Sequence, residues 1–217
     1  MKDAADAILR PEQAAYLASL PRKTDPLLEK MEAYAASHRH PISDPEVADL
    51  LFVTARAAGA KRVVEVGTNI GYGAIVLARA VGPDGHVLTI EYKAETCEVA
   101  RGFIAEAGLS DRIDVRHGDA IEVLGALEGE VDLAYVDCVK EDYPRYLDLL
   151  LPRLSARGVL LADNVLWKGL VAADAVPDAE RERVTALRAF NAAIVSRPEL
   201  RGVVLPIGDG VGYAVRA

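Results

Sequence analysis

The sequence predicts an α/β fold: a mostly parallel sheet with helices on both faces, preceded by a helical extension. Three observations predict it. From residue 62 onward, short apolar runs alternate with segments of helical spacing, the signature of strand–helix–strand units. A glycine loop follows the first apolar run. The chain closes on two strand-like runs joined through Gly208-Asp209-Gly210, and an Asp-Gly pair in such a joint marks a hairpin, making the last strand antiparallel.

Residues 1–60 give three helical stretches and no strand. Leu27, Leu28, Met31, Tyr34 and Ala35 share one helical face. Asp44-Pro45-Glu46 reads as a helix start, with Asp44 at the N-cap and Pro45 at the first helical position. The region is expected to be an extension of one domain spanning 1–217, not a second domain. It either packs at the sheet's edge or forms a lid over a site.

The core at 61–217 follows in order. Arg62–Val66 is a buried strand running into Gly67, and 71–80 is helical. His86–Glu91 is the second strand. Residues 94–107 form a helix with Val99, Phe103 and Ile104 on one face and Gly108 at its C-terminal stop. Ile113–His117 is the third strand and 119–127 a short helix. Val131–Val136 is the fourth strand and 143–151 the next helix. Residues 159–162 make the fifth strand and 179–196 a long helix. Strands at 202–206 and 212–215 complete seven.

Bulk properties narrow the function. A chain of 217 residues with 51% apolar content supports one domain with a sizeable core. A net charge of −8 counts against a protein whose main partner is a nucleic-acid backbone. The two cysteines, Cys97 and Cys138, lack CxxC spacing, which fits a reducing compartment. No run is long enough to cross a bilayer, and Met1-Lys2-Asp3-Ala4-Ala5-Asp6 does not open a signal peptide. The expected location is cytoplasmic.

Four constellations carry chemistry. Glu65-Val66-Gly67-Thr68-Asn69-Ile70-Gly71-Tyr72-Gly73 is a strand–glycine loop–helix passage that brings backbone close to a ligand. Its spacing is not the G-x-G-x-x-G of dinucleotide enzymes, and a plain tight turn is the alternative. Glu91, ending the second strand, suits the ribose hydroxyls of an adenosine-containing cofactor. Gly118-Asp119-Ala120, after the third strand, is placed to line an adenine pocket, and Asp119 is equally suited to cap the next helix. Asp137, Lys140, Asp163 and Asn164 follow the fourth and fifth strands. Two carboxylates and an amide carbonyl form a hard, all-oxygen set suited to Mg²⁺, and Lys140, one turn on, is placed to take a proton from a hydroxyl. The alternative is a turn at Asp163-Asn164 and a cap at Asp137.

Other residues are blander. His38 and His40 lack a third ligand nearby and read as a surface pair. Cys97 reads as packing and Cys138 as a pocket wall. Trp167, the only tryptophan, either covers an aromatic substrate or fills core.

The strings VVEVGTNIGYGA, TIEYKAE, HGDAIEVL, VDLAYVDCVKEDYPRYLDLLLPRL, GVLLADNVLWKG and LPIGDG resemble the cation-dependent class I O-methyltransferases, the group that includes catechol and caffeoyl-coenzyme A O-methyltransferases. The resemblance runs from about Ser43 to the C-terminus. It implies a Rossmann-like class I methyltransferase sheet of seven strands and the cofactor S-adenosylmethionine. It implies metal ligation by Asp137, Asp163 and Asn164, with Mg²⁺, Ca²⁺ or Mn²⁺ as the ion, and Lys140 as general base. Glu65, Gly67 and Glu91 match cofactor contacts, Ser43 and Ala120 further ones, and Asp137 sits near the cofactor's amino group. A homodimer is also implied.

Three positions depart from the pattern. Gly73 replaces a serine that touches the methionine carboxylate, so a backbone amide or Thr68 would have to supply that contact. Val139 replaces an acidic or aromatic residue. Lys168, after Trp167, replaces a small or amide residue, and these last two bear on the acceptor. The expected activity is methyl transfer to one hydroxyl of a vicinal dihydroxy, catechol-like small aromatic, with Lys140, Asn164, Trp167 and Lys168 around the acceptor. As general base, Lys140 needs a depressed pKa. Alternatives are a tRNA hydroxyuridine O-methyltransferase, a nicotinamide-dependent dehydrogenase, and a non-catalytic Rossmann-like binding protein.

Overall fold

A computed structural model describes residues 10–20, 22 and 25–217. The reading of residues 1–6 as lacking a signal peptide lies outside the described residues. Seven strands, β1 (Arg62–Val66), β2 (His86–Glu91), β3 (Ile113–His117), β4 (Val131–Val136), β5 (Leu154–Ala162), β6 (Leu200–Leu205) and β7 (Val211–Arg216), form one sheet in the order β3-β2-β1-β4-β5-β7-β6. β1 to β5 pair in parallel, and β7 lies antiparallel between β5 and β6. The expected seven strands, closing hairpin and antiparallel last strand are all present.

Three helices precede the sheet: α1 (Pro11–Ser19), α2 (Pro26–His38) and α3 (Pro45–Ala58). Five more cover it: α4 (Tyr72–Val81), α5 (Ala94–Glu106), α6 (Ala120–Gly125), α7 (Tyr143–Leu150) and α8 (Arg181–Ser196). Strand alternation sorts the core into two layers. Val63 points to one face, where Met31 of α2, Leu51 of α3, Leu77 of α4 and Ile104 of α5 pack. Val64 and Val66 point to the other, against Leu124 of α6, Leu147 of α7 and Phe190 of α8. The extension thus shares a core with the sheet through α2 and α3. Asp25 caps α2 by accepting from the amides of Leu27 and Leu28. Asp44 holds the N-cap position of α3 through its carbonyl, which accepts from Val47 and Ala48, and its side chain makes no cap hydrogen bond.

Several boundaries differ from expectation, each for a local reason. β5 starts at Leu154 rather than 159. A register shift opposite Val131 and Leu133 absorbs Ser155–Gly158, and those residues carry no apolar alternation to betray a strand. α6 is shorter than 119–127, because Asp119 is its cap and it ends at Gly125. The long final helix is preceded by a separate 3-10 turn, Asp178–Glu180.

Chain order explains where a ligand belongs. The chain steps outward from β1 through β2 to β3, then returns to β4 on the other side of β1. At such a reversal the loops leaving the strands' carboxyl ends diverge and open a crevice.

Candidate active site

A cavity of about 1140 Å³ fills that crevice. It is large for a single small ligand. Its lining brings together Ser43, Glu65, Gly67, Thr68, Gly73, Glu91, Asp137, Lys140, Asp163, Asn164, Trp167 and Lys168. Asp119 and Ala120 are not among the lining residues. Asp119 Oδ1 accepts from the amides of Ile121 and Glu122, at 2.8 and 3.1 Å, which is the capping role.

The glycine loop forms one end. Gly67 has φ 104° and Gly71 φ 89°, conformations that L side chains resist. A Cβ on Gly67 would overlap the backbone carbonyl of Asp137, so the loops after β1 and β4 touch there. Asn69, also left-handed at φ 47°, is pinned from three sides. Its amide donates to Glu91 Oε2 at 3.0 Å, its side-chain Nδ2 donates to the Pro41 carbonyl, and its Oδ1 lies 3.0 Å from His40 Nδ1. The other Glu91 oxygen accepts from the Lys93 amide at 3.0 Å. Glu91 is therefore a fixed carboxylate facing the cavity, not a free strand end. The segment from His38 to Asp44 lines the same end. His40 is part of this lining rather than a detached surface residue.

Glu65 is buried, with Thr89 Oγ1 donating to its Oε2 at 2.5 Å and Thr68 Oγ1 2.6 Å beyond. A Cβ on Gly73 would overlap Glu65 Oε1. The departure at Gly73 therefore has a steric partner: no side chain fits there while the Glu65 carboxyl keeps its seat. The Thr68 hydroxyl is engaged by Thr89.

Burial, with Asp137 and Glu91 adding to it and the Thr89 bond opposing it, pushes the Glu65 carboxyl from an ordinary 4.5 up to about 8. The folded chain holds this proton where the unfolded chain has released it, so stability falls as pH rises from 4.5 to about 8. This group alone contributes a slope of up to about 1.4 kcal/mol per pH unit. Glu65→Gln should flatten that decline, which melting temperatures between pH 5 and 9 will measure. An unchanged pH profile would assign the decline to other groups.

The carboxylates gather beside the glycine loop, where the loop after β4 meets Gly67. The Asp137 amide donates to the Val66 carbonyl at 2.8 Å, and the Asp163 amide to the Val136 carbonyl at 2.9 Å. The ends of β1, β4 and β5 are thereby stitched in sequence, placing residues 137 and 163 side by side. Asp163 Oδ1 accepts from the Asn164 amide at 2.7 Å, which fits Asn164's left-handed φ of 57°. The Tyr135 hydroxyl lies 2.9 Å from Ser43 Oγ and donates to Asp163 Oδ2 at 3.5 Å. Burial, then the charges of Asp163 and Asp137, push the Tyr135 phenol well up, so both carboxylates act on one ring. The donor set fits a divalent cation: two neighbouring carboxylates and an amide carbonyl, oxygen throughout. Among the described residues, no group of three or more His, Cys, Asp and Glu could hold a metal ion, so Asn164 and outside oxygens would have to complete the shell.

Lys140 opens a 3-10 turn, Lys140–Asp142, and is buried. Its Nζ donates to Asp137 Oδ1 at 2.7 Å and lies 5.1 Å from the Tyr143 ring centre. Burial pulls its pKa down, but Asp137 and Tyr143 more than offset this and the net direction is upward. The depressed pKa expected from the sequence is not found, because the carboxylate that brings the lysine into the site also holds its proton. Cys138 lines the cavity, and burial pushes its thiol up, which suits a wall rather than a nucleophile.

Trp167 is half-buried at the cavity rim, not in the core. Trp167 and Lys168 have φ of 44° and 54°, and the Lys168 amide donates to Asp209 Oδ1 at 2.7 Å. Sequence reading missed Tyr135, Tyr143, Glu141 and Arg183. Tyr135 sits in an ordinary apolar run, Tyr143 opens a helix after a charged stretch, and Arg183 lies on a helix distant in sequence. Nothing local marks them.

A family model described as O-methyltransferase matches residues 21–217. The chain is 34% identical over 178 residues to tricin synthase 2 of Oryza sativa subsp. japonica, covering 78% of this chain and 61% of that protein. It therefore spans less than two thirds of that relative's length. It is 31% identical over 205 residues to caffeoyl-CoA O-methyltransferase 1 of Eucalyptus globulus, covering 88% of this chain and 81% of that one. The solved O-methyltransferase from Bacillus cereus, in complex with SAH, superposes with a TM-score of 0.85 at 27% identity, covering 95% of this chain and 97% of that one. The chain belongs to the O-methyltransferase family, with the Rossmann-like methyltransferase sheet the sequence predicted. Among the described residues, no helix is long and apolar enough to cross a membrane.

Proposed function

We propose that this protein transfers a methyl group from S-adenosylmethionine to one hydroxyl of a vicinal dihydroxy aromatic, aided by a divalent cation. The observation that carries the reading is the meeting of Asp137, Lys140, Asp163 and Asn164 in one cavity with the Glu65 loop and Glu91. Family membership favours it over a nicotinamide dehydrogenase and over a non-catalytic binding protein.

The chain's own groups divide the work. Glu91, oriented by two backbone amides, takes the ribose hydroxyls of the methyl donor. Gly67 lets backbone approach the donor, and Glu65 backs that loop. Asp137, Asp163 and Asn164 would hold the cation, which would supply Lewis acidity to lower the pKa of a nearby hydroxyl. With Asp137 drawn to the cation, the Lys140 ammonium would give its proton to water, and the neutral amine would then accept the hydroxyl proton at Nζ. The acceptor oxygen forms a bond to the methyl carbon as the carbon–sulfur bond breaks, and that electron pair remains on sulfur. Trp167 and Lys168 bound the acceptor, and holding both substrates in line supplies much of the acceleration. A homodimer belongs to the same reading, supported by the exposed Tyr16, Leu17 and Leu20 on and beside α1.

The test is transfer of labelled methyl from S-adenosylmethionine to caffeic acid, with and without EDTA. Turnover is expected with Mg²⁺, with a loss of at least about tenfold in the chelator. Full activity in EDTA removes the cation from the proposal. No turnover on caffeic acid, catechol or a flavonoid diol removes the acceptor class.

A further inference from the structure

Arg183, near the start of α8, lines the cavity and touches two other pieces of its wall, Trp167 and Glu141, as well as Glu180. Its guanidinium lies 4.6 Å from the centre of the Trp167 ring. One of its nitrogens is 3.0 Å from Glu141 Oε1 and another is 2.7 Å from Glu180 Oε2. The same Glu180 oxygen accepts from Trp167 Nε1 at 2.8 Å. Trp167's donation, and after it Arg183's, outweighs burial and holds the Glu180 carboxyl below its ordinary value. Glu141 follows Lys140 directly in the Lys140–Asp142 turn.

Trp167 and Lys168 both stand in the left-handed region. Non-glycine residues persist there only when surrounding contacts over-determine them. The contacts present include Glu180 and Arg183 on the indole, the Trp167 amide donating to the Asn164 carbonyl at 3.2 Å, and Asp209 on the Lys168 amide. A planar guanidinium suits this task, since it stacks on an aromatic face while its edges hold two carboxylates. Lysine offers one point charge and no plane.

We propose that Arg183 is a positioning residue that locks the Trp167 wall to the Lys140 turn, fixing the acceptor's distance from Lys140 without touching the methyl donor. This rests on the proposed methyl transfer in assigning Trp167 and Lys140 to the acceptor end. The clamp itself does not depend on that reading.

The experiment compares Arg183→Met, which keeps the stem and removes the plane and charge, with Arg183→Lys. Trp167 is the only tryptophan, so its fluorescence reports the clamp directly. In Arg183→Met, acrylamide quenching of Trp167 should rise. kcat/KM for caffeic acid should fall roughly 10- to 100-fold, as expected for a misplaced acceptor. Calorimetric affinity for S-adenosylhomocysteine should stay unchanged. Arg183→Lys should recover only part of the loss and serves if the methionine variant does not fold. Unchanged quenching overturns the proposal. So does unchanged kcat/KM, or a loss of S-adenosylhomocysteine affinity equal to the loss in kcat/KM. If wild-type protein neither binds S-adenosylhomocysteine nor methylates any diol, the functional reading fails, while the quenching contrast still decides whether Arg183 holds Trp167.

Discussion

Lys140→Ala is expected to lower turnover by roughly 10²- to 10⁴-fold, the range for losing a positioned acid–base group, while leaving S-adenosylhomocysteine affinity nearly unchanged. In the proposed reaction the lysine serves the acceptor, and its side chain contacts Asp137 and Tyr143 rather than Glu65 or Glu91. The substitution also strands Asp137, whose Oδ1 accepts from Nζ. With side-chain exposures of 7% and 20%, the pair is shielded enough for removal of one partner to cost about 3–5 kcal/mol. Lys140→Arg separates the two effects. It keeps a cation beside Asp137 and restores stability, but a guanidinium does not accept a proton in this pH range. Turnover should therefore stay low in Lys140→Arg while the melting temperature recovers. Near-normal turnover in the arginine variant would show that charge, not proton acceptance, is what the site requires. Single-turnover rates with saturating methyl donor, together with thermal unfolding of both variants, make the measurement.

The contrast between Lys140 and Arg183 shows what the sequence could disclose. Asp137, Lys140, Asp163 and Asn164 stand directly after apolar runs, and strand pairing brings strand ends together whatever the side chains. Their convergence was legible because it follows from topology. The seven strands were legible through short apolar runs alternating with helical spacing and through the terminal Asp-Gly joint. Arg183 was not legible, since its partners at 141, 167 and 180 lie on three segments and its own helix shows only ordinary amphipathic spacing. Tyr135 was hidden because a tyrosine in VDLAYV looks like any buried strand residue. Asp119 carried two compatible readings, and the capping one is the one its contacts show, because helix amides are always within reach of an N-cap side chain. The direction of the Lys140 shift also lay beyond the sequence. Proximity of Lys140 to Asp137 was visible, but whether burial or the carboxylate prevails depends on a 2.7 Å contact.

Gly67→Ala should be among the most damaging single-methyl additions in the chain, and comparison with Gly59→Ala isolates the reason. Both glycines have positive φ, 104° and 64°. A Cβ on Gly59 meets nothing within 4 Å, whereas on Gly67 it runs into the Asp137 carbonyl carbon and oxygen. Gly59→Ala therefore carries only the conformational penalty, about 1 kcal/mol. Gly67→Ala adds a collision with backbone that cannot rotate away, at a further cost of about 1–3 kcal/mol. At roughly 2–4 °C per kcal/mol for a domain of this size, Gly67→Ala should melt up to about 16 °C below wild type. Relief has one route, displacement of the loop that carries Asp137, because that carbonyl belongs to the same residue. The amide of Asp137 is tied to Val66 at 2.8 Å, so the shift would pull on β1 as well. Affinity for S-adenosylhomocysteine should fall at least about tenfold in Gly67→Ala, a loss of about 1.4 kcal/mol, and stay at the wild-type value in Gly59→Ala. Thermal unfolding and calorimetry on the pair decide it. Equal melting temperatures and equal affinities for the two variants would mean that the close approach of the two loops has no energetic consequence, and that the cofactor end of the cavity is not built on it.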